Sequence, residues 1–192
     1  MPLNAAALAY GWRRAQVIAL RLCARDAAAE AACTQALARR PDDAWALATR
    51  SHLRAGRGDR QGAIADGQRL VASAPRPGAP AWFNLGFLLE AEGRPAEAEV
   101  ALRAALALDP QLDRAWYGLA LVLIRLGRHD EAVTALEENT RLQPMSPYGW
   151  YQLARLHAQR QAPQQAAEII RRLKRFEPQV AARLERETGL MS

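Results

Sequence analysis

Residues 82–110, WFNLGFLLEAEGRPAEAEVALRAALALDP, are echoed by residues 116–144, WYGLALVLIRLGRHDEAVTALEENTRLQP, and again by residues 150–178, WYQLARLHAQRQAPQQAAEIIRRLKRFEP. Trp82, Trp116 and Trp150 lie 34 residues apart, and Pro110, Pro144 and Pro178 keep the same step. A repeat of this length implies stacked helical hairpins, because one hairpin cannot bury its apolar face without a neighbour. Between each Trp and its Pro, small and large residues recur at fixed offsets. Leu85, Gly86, Leu89, Ala98, Leu102 and Ala105 are followed by Leu119, Ala120, Leu123, Ala132, Leu136 and Asn139, then by Leu153, Ala154, His157, Ala166, Ile170 and Leu173.

These spacings resemble the signature of the tetratricopeptide repeat (TPR) family, W-x2-L-G-x2-Y followed by A-x3-F-x2-A-x4-P. Clear units cover 79–112, 113–146 and 147–178. A unit over 42–78 fits with two extra residues in its Gly56 to Gly62 turn, through Trp45, Ala48, Thr49, His52, Ala63, Gly67, Leu70 and Pro75. A degenerate unit over about 9–41 precedes it, with Trp12 and then Ala29, Cys33, Ala36 and Pro41. Its first helix aligns in more than one way. The resemblance implies an all-α, right-handed superhelical solenoid of about five hairpins, ending in a capping helix within 179–192.

The pattern has a physical reading. Trp, Leu and the small residue four beyond the Trp share one helical face and form the stripe that packs on the partner helix. The small slot, Thr49, Gly86, Ala120 or Ala154, lets two backbones approach. Gly56, Gly93 and Gly127 fall where first helices end, where positive φ is common. Pro95 and Pro163 open second helices, where a missing N–H costs nothing. The tryptophans read as packing residues.

Half of the 192 residues are apolar, enough for a well-buried core. No apolar run approaches the ~20 residues of a spanning helix, so no membrane insertion is expected. The start of the chain carries no basic leader with a cleavage site, and the expected location is cytoplasmic. Cys23 and Cys33 have neither CxxC spacing nor a nearby His and read as two buried free thiols. The formal charge of +6 lies wholly in residues 1–76, which hold 12 Arg against 6 acidic residues.

No catalytic constellation emerges. Ser51 and His52 are adjacent on one helix and point about 100° apart, so they cannot act together. No His pair has metal-ligand spacing, and the glycines are explained by turns and close packing rather than a phosphate loop. No enzyme activity, metal or cofactor is therefore expected.

The resemblance implies that ligands bind a second face of each first helix, beside the packing stripe. The candidates are Arg13 and Arg21, with Tyr10, Val17 and Leu20, if Trp12 sets the first register. They are Arg50, Leu53 and Arg54 in the second unit and Phe83, Asn84, Phe87 and Glu90 in the third. Arg114, Tyr117, Leu121, Ile124 and Arg125 follow in the fourth, and Tyr148, Tyr151, Arg155 and Gln159 in the fifth. Aromatic residues and Arg are the types enriched at binding hot spots. Of the carboxylate clamp found in chaperone-binding relatives, only Asn84 and Arg114 match. The leading expectation is an adaptor or chaperone-like module that holds a protein segment carrying acidic and apolar residues. A self-assembling scaffold ranks second. Nucleic-acid binding through Arg171, Arg172, Lys174 and Arg175 ranks third, since that cluster also suits a helix C-terminus.

Overall fold

The computed structural model describes residues 5–23, 25–73 and 76–190, and their side chains from residue 11 onward. Among the described residues there are eleven α-helices and no strand. They are α1 (Ala5–Leu22), α2 (Asp26–Arg39), α3 (Ala44–Gly56), α4 (Arg60–Ser73), α5 (Ala79–Ala91), α6 (Pro95–Leu108), α7 (Asp113–Arg125), α8 (His129–Leu142), α9 (Pro147–Gln159), α10 (Pro163–Lys174) and α11 (Pro178–Thr188). The all-α expectation holds. The chain forms two compact units, residues 1–94 with α1 to α5 and residues 95–192 with α6 to α11.

In the first unit each helix packs on the next. Val17, Ala29, Cys33 and Leu53 form one buried cluster, and Leu37, Ala46, Leu47 and Leu70 another. Val17 corrects the register expected from Trp12, whose side chain is 76% exposed. The buried Val17 stands 12 residues before Ala29, as Ala120 stands 12 before Ala132. Val17 therefore fills the small slot, Arg13 takes the Trp position, and neither Trp12 nor Val17 plays its expected part. Cys33 is buried but Cys23 is exposed, so only one of the two thiols is shielded. Pro75 and the side chain of Tyr10 lie outside the described residues.

The second repeat also departs from its expected register and holds no extra residues. α3 has 13 residues, as α5, α7 and α9 have. The buried Ser51 stands 12 residues before Ala63, so Ser51 rather than Thr49 fills the small slot and the buried Leu47 takes the Trp position, two beyond Trp45. α3 runs to Gly56, eleven positions past Trp45, whereas α7 and α9 stop nine past theirs. The left-handed turn residue is consequently Gly58 (φ 86°), not Gly56. Gly93 and Gly127 occupy that turn as expected, while Gln161 takes it in the last repeat at φ 56°. Asp43 caps α3 by accepting a 3.0 Å bond from Ala46 N–H.

In the second unit the helices again pack in chain order, and α11 folds back onto both α10 and α9. The alanines at the helix contacts, Ala98, Ala120, Ala132, Ala154 and Ala166, are wholly buried. One contact is chemically exchanged. Asn139 stands where the preceding repeat has Ala105, and its Nδ2 donates to the Asp113 carbonyl at 2.9 Å. The facing position is Gly149 rather than alanine, because a Cβ there would run into Asn139 Oδ1. α11 buries Ala181 and Leu184, and Glu185 accepts from Lys174 at 2.8 Å, so the terminal face of α10 is covered.

Candidate functional site

The two expected arginines of α3 are engaged inside the first unit. Arg50 donates to both oxygens of the buried Asp66, from Nη2 at 2.6 Å and Nε at 2.8 Å, and its Nη1 reaches Thr34 Oγ1 at 3.2 Å. Arg54 bridges Asp66 Oδ2 and Glu30 Oε1, each at 3.0 Å, and Arg57 holds the other Glu30 oxygen at 2.6 Å. The hydrogen bond to Asp66 is the chief reason that the Arg50 guanidinium holds its proton above its ordinary range. Two carboxylates thus tie α2, α3 and α4 together and engage three of the unit's arginines, Arg50, Arg54 and Arg57.

Asp66 and Glu30 are the residues that the repeat pattern did not single out. A signal was present. Asp66 replaces Ala101, Ala135 and Ile169 of the other repeats, and a carboxylate at a buried helix position requires a partner.

The rest of the expected face in this unit lies on α1 and α5. Arg13 is half-buried and Arg21 exposed. On α5, Phe83 and Glu90 are half-buried, Asn84 is exposed, and Phe87 is 60% exposed. The Phe83 and Phe87 rings meet at 6.5 Å between centroids with a 32° tilt. They form an aromatic ledge one helical turn long.

In the second unit the face is carried by α7 and α9. Arg114, Tyr117, Leu121 and Arg125 follow each other at spacings of three or four and so share one side of α7. Tyr117, Leu121 and Ile124 are half-buried, while both arginines are exposed. Tyr148, Tyr151 and Arg155 are arranged likewise on α9, with Gln159 exposed one turn on.

The two tyrosines of α9 are in different settings. Tyr148 is 70% exposed. Tyr151 donates to Glu187 Oε2 at 2.6 Å and has the guanidinium carbons of Arg183 and Arg155 at 5.3 and 5.7 Å from its ring centre. Burial first, and then the bond to Glu187, raise the Tyr151 hydroxyl above its ordinary value. The same bond, with help from Arg183, lowers the Glu187 carboxyl. Glu187 and Arg183 of α11 are the second set that the repeat pattern could not supply, since α11 lies beyond the last unit.

Among the described residues, no group of three or more His, Cys, Asp or Glu side chains is placed to hold a metal ion. No helix of the described chain is long and apolar enough to cross a membrane.

Residues 49–113 and 89–150 match two family models, each described as tetratricopeptide repeat. No curated protein sequence matches the chain. Among solved structures, one of MamA is 18% identical with a TM-score of 0.78, covering 98% of this chain and 99% of that one. MamA from Desulfovibrio magneticus RS-1 is 19% identical with a TM-score of 0.79, covering 92% and 95%. YrrB, described as a TPR protein with an unusual peptide-binding site, is 17% identical with a TM-score of 0.80, covering 88% of each chain. At these identities the likeness is one of fold.

Proposed function

This chain belongs to the tetratricopeptide repeat family, and from that premise we propose that it is a non-catalytic protein-binding module that holds an extended or helical segment of a partner on its first-helix faces. The observation that carries this reading is the pair of large aromatic side chains left in water there, Phe87 in the first unit and Tyr148 in the second. Aromatic surface of that size is costly to expose without a use, and it supplies binding energy at little entropic cost.

Tyr117 and Leu121 extend the apolar footing on α7, and Arg114, Arg125 and Arg155 border it. The segment that suits this surface carries bulky apolar anchors with Asp or Glu beside them, whose carboxylates a guanidinium fork can take. Arg50 and Arg54, expected in the same role, are held by the buried Asp66. YrrB, named for a peptide-binding site, supports the kind of ligand. We place the chain in the cytoplasm, whose reducing poise suits two free thiols.

The test is selection from a displayed library of random peptides, followed by hydrogen exchange with the best binder. Slowed exchange on α5, α7 or α9 supports the reading; protection confined to the second helices or α11 overturns it.

A second reading, self-assembly, has its own observation. Trp12, Ile18 and Leu22 are exposed on the side of α1 away from Val17. If that side joins copies, the chain elutes as an oligomer, and Trp12→Ser with Leu22→Ser returns it to a monomer.

A further inference from the structure

The second unit carries another recess, outside the first-helix face. Met145 in the α8–α9 turn, Trp150 at the start of α9, Ile169 of α10 and Phe176 just beyond it line an open pocket of about 700 Å³. Met145 is 67% exposed. The indole is fixed at its edge, where Nε1 donates to the Pro144 carbonyl at 3.0 Å, and on one face, where the Arg172 guanidinium carbon lies 4.1 Å from the ring centre.

Arg171, Arg172 and Arg175 border this apolar floor, with Glu168 as the one carboxylate in the lining. The other second helices of the unit treat their arginines differently. Arg103 is paired with Glu99 and Glu131, and Arg141 with Glu138. At the positions equivalent to Arg171 and Arg172 the preceding repeat has Glu137 and Glu138. Among the described residues, no carboxylate partner is seen for Arg171 and Arg172 of α10 or for Arg175 just beyond its end. A favourable position near a helix C-terminus accounts for basic residues in the last turn. It does not account for the apolar recess beside them.

We propose that this pocket is a second docking site, which takes an acidic segment of a partner protein. One bulky aliphatic or aromatic side chain of the segment enters between Met145, Ile169 and Phe176, and its flanking carboxylates are held by Arg171 and Arg175. Charged forks around a dry floor suit such a segment, with the charges guiding encounter and the apolar anchor slowing release. Single-stranded nucleic acid fits less well. Arg172 already covers an indole face that a base would need for stacking.

The test is fluorescence anisotropy of a dye-labelled probe, Asp-Glu-Phe-Leu-Glu-Asp, titrated with the full chain. Saturable binding is expected, weakened about tenfold or more by Arg171→Glu with Arg175→Glu and separately by Met145→Asp. Because the probe shares the chemistry of a first-helix ligand, the titrations are made in the Tyr117→Ala with Tyr148→Ala background. Binding that persists there and is lost with the arginine or Met145 substitutions belongs to the pocket, so failure here is distinct from failure of the first-helix reading. All of the substituted arginine and methionine side chains are exposed, and an unchanged thermal melt verifies each variant's fold. The proposal is overturned if the probe does not bind, or if the arginine and Met145 variants bind it like their parent. It is equally overturned if those arginines bind a dT12 oligonucleotide more tightly than the probe, or if they join two copies into a dimer that the arginine variant dissolves.

Discussion

Arg50 grips Asp66 with both arms of its guanidinium fork, and the two side chains are 12% and 4% exposed. The carboxylate lies among second-helix positions that are apolar in the other repeats. Its charge is tolerated because Arg50 and Arg54 satisfy both oxygens.

Removing the carboxylate strands Arg50 in the interior of the first unit, while Arg54 keeps Glu30. Asp66→Ala is expected to lower stability by about 2–4 kcal/mol, somewhat below the range for a fully buried pair because the guanidiniums retain some water. Adding Arg50→Leu restores much of the loss, since Leu119 and Ala135 fill the equivalent positions in the fourth repeat. Urea denaturation of both variants measures this. Equal stability of Asp66→Ala and wild type would contradict the account.

Gln161 adopts the left-handed conformation, φ 56°, that Gly93 and Gly127 adopt in the equivalent turns. A side chain there is strained by roughly 1 kcal/mol. Gln161→Gly is therefore expected to stabilise the chain by about 0.5–1 kcal/mol, less the entropy glycine adds to the unfolded state. Scanning calorimetry checks the sign, and a lower melting temperature would contradict it.

Burial raises the Cys33 thiol to about 11, against a smaller opposing pull from Arg50. At pH 8 the group stays protonated and shielded within the Val17, Ala29 and Leu53 cluster. A thiol-specific chromogenic reagent is expected to modify the exposed Cys23 in the native chain, and both cysteines only after denaturation. Rapid reaction of Cys23→Ser would show that Cys33 is not shielded.

His157 carries a pH dependence. Burial first, then Arg160, lower its pKa below the ordinary 6.5. Between that value and the lower folded value the unfolded chain binds more protons, so this contribution to stability is whole above pH 6.5 and is lost as pH falls below it. The melting temperature is expected to drop between pH 7.5 and 5.5, and to drop less in His157→Gln. Identical pH profiles would rule out this origin.

In the last three repeats the alanine contacts and the second-helix starts were legible because each rests on local periodicity and small residues at fixed offsets. The outward exposure of Phe87 and Tyr148 was legible too, since their helix positions follow from the same register. What escaped was long-range pairing. Nothing local to Arg50 or Arg54 shows that Asp66 and Glu30, on other helices, hold them. Tyr151 likewise gives no sign of Glu187, which lies on a helix outside the repeat. The register of α1 was ambiguous because Trp12 imitates the signature one position before Arg13, and only the burial of Val17 resolves it.

The central claim is that aromatic side chains on the first-helix faces hold a partner segment. Its most direct test is isothermal titration of a library-selected peptide against wild type, Tyr117→Ala with Tyr148→Ala, and Arg171→Glu with Arg175→Glu. Two anchors worth about 1–2 kcal/mol each predict a loss of roughly 30- to 1,000-fold in the tyrosine variant, mainly through faster dissociation, with little change in the arginine variant. Wild-type affinity in a folded tyrosine variant would contradict the claim.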